Sequence, residues 1–313
     1  MSVAGGVLIL FIVVIRALAI HRLPKTTFLA LWMIAALRLL LPLSIPMPFK
    51  IHIDLDVFSD VVQKLPSGNI GFPIPGESRH AYDTGAVVSS PAAERISIFV
   101  ILWLVGVLLL ALYFSISYLR SMRKFRMSVP DNTPYIREWL NAHQIVRPIE
   151  VRSSDLISSP LTYGILHPVI LLPKKLDRND QAALQYVLTH EYVHIRRFDA
   201  ITKILFAAVL CIHWFNPLVW VMYVLANRDI ELSCDAWVIR MMGEKNRSSY
   251  ALMLIKMEEK RSGMSALYSH FGKNAISERI EAIMKFKKTS IWACILALAL
   301  IAGATTAFAA ART

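Results

Sequence analysis

Charge is scarce in this sequence. Asp, Glu, Lys and Arg make up 18% of its 313 residues, against roughly a quarter in ordinary soluble domains. That scarcity excludes a disordered chain, which stays open through charge and low hydropathy. Cysteine is scarcer still: Cys211, Cys234 and Cys294 lie far apart, in no CxxC arrangement. Neither a disulfide framework nor a cysteine zinc cluster is supported, as expected of a domain facing a reducing compartment. The sequence also lacks a nucleic-acid motif and any interleaving of aromatic with basic residues. Its net charge of +12 therefore reads as holding a domain against anionic lipid headgroups, with no direct nucleic-acid binding. What abounds is apolar: 56% of residues are hydrophobic and mean hydropathy is +0.50. These residues form long blocks without a 3.6- or 2-residue period, which points to an integral membrane protein with room for one modest soluble domain.

A spanning helix needs about 20 mostly apolar residues. Four segments qualify: Val3–Ile20, Phe28–Ile45, Ile96–Leu119 and Ile291–Phe308. The first has no basic stretch before it and carries Arg16 at its far end, which excludes a secretory signal peptide. Arg16 is expected to snorkel from that end, whereas Arg38 lies deeper and is expected to face other helices or water. Basic clusters set the orientation. Arg22 and Lys25 follow the first span, Arg120, Arg123, Lys124 and Arg126 follow the third, and Lys285, Lys287 and Lys288 precede the fourth. All three face the cytoplasm if the N-terminus is outside. The chain then divides into two spans over 1–45, an extracellular loop over 46–95, a third span over 96–119, a cytoplasmic domain over 120–288 and a fourth span over 291–308. The outer loop carries four bases against six acids and the cytoplasmic stretch 25 bases against 16 acids, so the signs agree with one topology.

Within the cytoplasmic stretch, Leu184, Val187 and Leu188 recur at helical spacing, and Asp177 or Asp180 can cap the helix. On that helix His190 and His194 stand at i and i+4, one turn apart on one face. Two neutral imidazoles so placed can bind one zinc ion at about 2.0–2.1 Å. Glu191 is offset by one residue, at the edge of the metal, where it can take a proton from water. The segment His190-Glu191-Tyr192-Val193-His194 is thus an HExxH pattern. Such patterns also arise by chance on exposed helices, so a third ligand matters. Glu231, 37 residues after His194, completes a His₂Glu shell with one open position. Asp235, at i+4 from Glu231, is placed to orient a ligand histidine through its free ring nitrogen. Asp229 and Asp199 are competing acids, the latter also able to cap a helix or pair with Arg196 or Arg197. Cys234 is a competing ligand through its soft sulfur, but it lies about 100° of helix rotation from Asp235 and reads as a packed helix cysteine. His143, His167, His213 and His270 have no partner spacing and read as structural.

Leu205–Leu225 is long enough to span a bilayer, but a single crossing would put Glu231 on the opposite side from the histidines. The block is therefore expected to be either a re-entrant helix pair bending at His213–Pro217 or a buried helix at the membrane surface. Upstream, Ser159–Pro173 reads as a β-hairpin turning at Gly164–Pro168; an exposed edge there can hold an extended peptide, and a plain structural hairpin fits equally.

The order of these features resembles the BlaR/MecR-type membrane metallopeptidases, bacterial antirepressors that signal β-lactam exposure. It runs from the spans through an SPxxYGxxxPxIxLP-like hairpin and HExxHxxRxD to His-Trp-Phe-Asn-Pro and Glu-x-x-Cys-Asp. The resemblance covers nearly the whole chain. It implies a mainly α membrane protein of the bacterial cell membrane: four transmembrane helices with a cytoplasmic α+β gluzincin-like metallopeptidase domain. It also implies a Zn²⁺ ion held by His190, His194 and Glu231, with Glu191 as base. The implied substrate is a cytoplasmic DNA-binding repressor, cut together with the chain itself in response to an outside signal, and a homo-oligomer is compatible with it. Self-cleavage is then expected around Ser262–Ile276. The family's sensors continue past the last span into an extracellular penicillin-binding domain with no counterpart in these 313 residues, so sensing through such a domain is not expected. Two other functions fit the residues: a membrane quality-control zinc protease, and a catalytically silent transducer, against which the intact HExxH speaks.

Overall fold

The computed structural model describes residues 2–20, 22–40, 98–262, 269–286 and, further on, 293, 295, 296 and 299–303. The expected outer loop 46–95 lies outside the described residues, as do much of the expected fourth span and residues 263–268.

Two apolar helices open the chain, α1 (Ser2–Ala19) and α2 (Lys25–Leu40), and α3 (Ile98–Arg126) follows. Long, mostly aliphatic and aromatic runs with no internal proline favour helix, since proline would remove a backbone donor. Among the described helices only α3 is long and apolar enough to cross a membrane, and none of its residues is buried by protein. The apolar part of α1, Gly5–Ala19, is shorter. Both α1 and α2 bury side chains, among them Ile9, Ile12, Phe28 and Trp32.

After α3 the chain enters a four-stranded sheet. Strand β1 (Val129–Pro130) precedes α4 (Pro134–Ala142), and β2 (Glu150–Ser154), β3 (Leu161–Tyr163) and β4 (Val169–Pro173) follow. The order is β1-β2-β4-β3, with β2 and β4 parallel and the outer pairings antiparallel. Every residue of β4 is buried, as a central strand covered on both faces requires. The expected hairpin is β3–β4, and β3 is left as the sheet edge. Its turn needs Gly164 at φ +84°, where a Cβ would stand 2.3 Å from the His167 carbonyl oxygen.

Helix α5 (Gln181–Arg197) lies against β3 and β4, capped by the Asp180 carboxylate, which accepts from the Ala183 amide at 2.9 Å. It ends at Phe198, whose φ of 57° is unusual for a bulky residue and turns the chain into α6 (Asp199–Ile212). The expected bend follows: residues 213–216 reverse the chain, and Asn216 caps α7 (Pro217–Met242) with proline as its first residue. The α6–α7 hairpin shares its core with α1 and α2, through Phe206, Val209, Val219 and Met222. A second core, built from Leu184, Leu188, Ile170, Val238 and Tyr250, joins α5, the sheet and α7 to α8 (Arg247–Ser262). Helix α9 (Ser269–Met284) packs on α7 and α8 and takes in residues 269–276 of the expected self-cleavage segment.

One expectation is overturned here. Arg16 does not snorkel. Its guanidinium turns into the protein, with Nε 2.9 Å from Asp229 Oδ1 and Nη2 2.6 Å from Glu278 Oε1, while Trp32 Nε1 donates to Asp229 at 2.7 Å. Asp229 is 1% exposed, and a carboxylate so buried needs a cation and donors.

Candidate metal centre

The helical register of α5 brings the two histidines together. His190 Nε2 and His194 Nε2 are 3.1 Å apart, and Glu231 Oε2, carried in by α7, lies 3.5 Å from the first and 3.6 Å from the second. The edge of a tetrahedron built on metal–ligand distances of 2.0–2.1 Å is about 3.3–3.4 Å, so the three atoms fit one small cation. They stand on the wall of a cleft of about 670 Å³ that Glu191, Thr162, Phe198 and Arg279 also line.

The far nitrogen of each imidazole has a fixed partner. His194 Nδ1 is 2.7 Å from Asp199 Oδ2. His190 Nδ1 is 2.8 Å from the Tyr250 hydroxyl, which itself donates to Asp235 Oδ1 at 2.7 Å. Both arrangements place the ring proton on Nδ1 and leave the Nε2 lone pairs converging on one point, the tautomer that metal binding requires. Asp235 is therefore close to His190, at 3.5 Å from Nδ1, with Tyr250 in contact with both. Arg279 grips Asp235 with Nε at 2.8 Å and Nη2 at 2.7 Å.

Cys234 offers a second donor set. Its sulfur is 3.5 Å from His190 Nδ1, and with both histidines it forms a group whose ligand atoms lie within 4.8 Å of one another. The cysteine read as merely packed is thus part of the centre's surroundings. Two observations favour Glu231 as the third ligand. Cys234 is fully buried and does not line the cleft, whereas Glu231 does. The sulfur also approaches Nδ1, which Tyr250 already occupies, and a catalytic metal needs an open position toward the cleft.

Electrostatics agree with a cation site. Burial disfavours the charged form of His190, but the Cys234 sulfur and the Glu231 carboxylate outweigh it and push its pKa up to about 10. His194 is likewise held well above its usual range against burial, by Cys234, Glu231 and Asp199. Burial opposes the charge of Glu231, yet His194 and Lys203 hold it well below the carboxylate range. Lys203 Nζ sits 3.2 Å from Glu231 Oε1, the oxygen turned away from the histidines. Glu191 accepts a hydrogen bond of 2.6 Å from the Thr162 hydroxyl on the edge strand.

Sequence reasoning missed Tyr250, Arg279 and Thr162, and took Asp199 as a competing acid, a cap or an arginine partner, not as a partner of His194. Asp199 pairs with Arg197, at 3.2 Å, and with His194 as well. Its distance of five residues from His194 was a usable signal, but the left-handed Phe198 between them makes the contact. Tyr250, Arg279 and Thr162 carried no local signal. Two of the histidines set aside have structural contacts: His143 stacks on Trp139 with centroids 4.2 Å apart, and His213 Nε2 is 3.1 Å from the Leu39 carbonyl oxygen.

An HExxH helix on an edge-stranded sheet, with a carboxylate brought in by a following helix, defines a metallopeptidase-like class. The comparison with known proteins is more specific: the chain belongs to the BlaR1 peptidase M56 family, whose model matches residues 1–283. It is similar to the regulatory protein BlaR1 of Bacillus licheniformis, 29% identical over 206 residues, or 62% of this chain and 34% of that protein. The methicillin resistance mecR1 protein of Staphylococcus aureus is 24% identical over 193 residues, 58% of this chain and 33% of that protein. The regulatory protein BlaR1 of Staphylococcus aureus is 27% identical over 155 residues, 48% of this chain and 26% of that protein. The chain thus spans about a third or less of the length of these relatives.

Proposed function

We propose that this protein is a zinc endopeptidase of the bacterial cell membrane that cuts a cytoplasmic DNA-binding repressor, and its own chain, in response to an outside signal. The observation that carries the reading is the convergence of His190 Nε2, His194 Nε2 and Glu231 Oε2 within 3.6 Å of one another on the cleft wall, with Glu191 lining the same cleft. His190, His194 and Glu231 would hold the zinc ion, which when bound polarises the peptide carbonyl and acidifies water. Glu191 takes the proton of the attacking water and hands it to the leaving amine, while the Thr162 hydroxyl keeps its carboxylate turned into the cleft. The edge of β3, unpaired among the described residues, supports an extended peptide beside the site through main-chain hydrogen bonds. Regulation enters from the relatives, whose names are those of a regulatory protein and a methicillin resistance protein.

The membrane arrangement is part of the same reading. Four spans, with the N-terminus and residues 46–95 outside, put the catalytic domain in the cytoplasm. The α6–α7 hairpin is re-entrant and returns Glu231 to the side of the histidines. Trp103 on α3 donates to the Ile212 carbonyl oxygen at 2.8 Å, satisfying a helix-end acceptor that lipid would leave bare. The test is reconstitution in liposomes with a purified candidate DNA-binding repressor, with and without candidate stimuli applied to the outer face. Cleavage by the wild type and none by Glu191→Ala is expected. An uncut repressor beside degraded, unfolded membrane proteins would move the assignment to quality control.

A further inference from the structure

Catalysis of this kind needs a donor for the carbonyl oxygen as it gains charge, and the cleft contains several cations. Arg147 is spent on the backbone, its two terminal nitrogens each 2.6 Å from a carbonyl oxygen, of Ile165 and Ile195. Arg228 is 3.8 Å from Glu278. Lys203 is held by the outward oxygen of Glu231. Arg279 differs. Its Nε and Nη2 edge is fixed on Asp235, which is 1% exposed, so the guanidinium plane has one orientation. The remaining nitrogen, Nη1, lies 3.6 Å from Glu231 Oε2, the oxygen that also faces both Nε2 atoms. That distance is too long for a hydrogen bond, and its protons remain for a guest in the cleft that Arg279 lines.

Resting on the peptidase reading, we propose that Arg279 is a catalytic residue, whose Nη1 donates to the oxygen of the scissile carbonyl. As the water oxygen bonds to the carbonyl carbon, the π pair moves onto the carbonyl oxygen and the water proton passes to Glu191. When that pair returns, the C–N bond breaks toward nitrogen, which receives the proton from Glu191. Arg279 transfers no proton, since a guanidinium stays charged in proteins; it stabilises the charge that comes and goes on oxygen. A donor held rigid before reaction costs no reorganisation, which is what makes such groups effective.

The test uses the full chain in detergent, loaded with zinc, and two probes read by calorimetry. An N-phosphoryl dipeptide carries a tetrahedral anion like the reacting carbon, and a dipeptide hydroxamate is a flat chelator. Arg279→Gln is expected to weaken the phosphoryl probe about 100-fold, with the hydroxamate within about threefold and zinc content at the wild-type level. Should Arg279→Gln lose zinc because Asp235 is left unpaired, Arg279→Lys decides, keeping a cation there but no second nitrogen at the site. Equal effects on both probes, no effect, or zinc loss in both variants would overturn the catalytic role and leave Arg279 a positioning residue. A wild type that takes up no zinc and binds neither probe would overturn the peptidase reading itself.

Discussion

Tyr250→Phe removes one oxygen and nothing else from the support of His190. In the wild type the hydroxyl lies 2.8 Å from His190 Nδ1 and 2.7 Å from Asp235 Oδ1, and Tyr250 is 1% exposed, so no water is at hand to replace it. Asp235 keeps its two bonds to Arg279, but the His190 proton loses its partner. Two atoms remain, each 3.5 Å from Nδ1: Asp235 Oδ1, too far for an N–H···O bond without movement of a helix, and the Cys234 sulfur, a weak acceptor. A buried donor left unmade costs about 1–3 kcal/mol, and loss of such a partner typically lowers metal affinity 10–100-fold. The expected result is therefore zinc binding weakened about 10–100-fold by competition with a chromophoric chelator, with helix content unchanged by circular dichroism. Combining it with Asp235→Asn gives a double-mutant cycle, in which the losses fall short of additive because both act through one chain of bonds. Zinc affinity within about twofold of the wild type would refute the claim that Tyr250 fixes the His190 tautomer.

Three further outcomes follow from the geometry. Thr162→Val deprives Glu191 of its 2.6 Å donor and is expected to lower kcat about tenfold with zinc content unchanged, measured on a peptide substrate. Arg16→Met leaves Asp229 buried without its cation and is expected to cost about 3–5 kcal/mol in denaturant unfolding in detergent, much of it recovered by adding Asp229→Asn. Gly106→Ala would place a Cβ 2.2 Å from the Trp214 ring; the rigid indole must move, and the thermal midpoint is expected to fall.

What could be read from the sequence was what depends on short-range geometry. The two histidines share a face because the helix repeat fixes i and i+4, and Asp180 caps because its position precedes the periodic run. The reversal at residues 213–216 follows from Asn216-Pro217, which can start a helix but not continue one. Glu231 was reachable only through chemistry, as the acid that completes a known donor set. The rest depends on packing between distant elements. Arg16 finds Asp229 across 213 residues, and Tyr250 finds His190 across 60; no local pattern announces either. Asp199 was in view, but its role depends on the left-handed conformation of Phe198, against that residue's own preference. Cys234 was in view as a soft donor and set aside by its angle on α7, whereas its nearness to His190 arises where α7 crosses α5.

The central claim is that Glu231, and not Cys234, completes the metal shell with His190 and His194. Zinc content of the detergent-purified chain tests it directly, comparing the wild type with Glu231→Gln and Cys234→Ser. About one zinc per chain in the wild type and in Cys234→Ser, and loss of it in Glu231→Gln, is the predicted result. Zinc retained by Glu231→Gln and lost from Cys234→Ser would contradict the account.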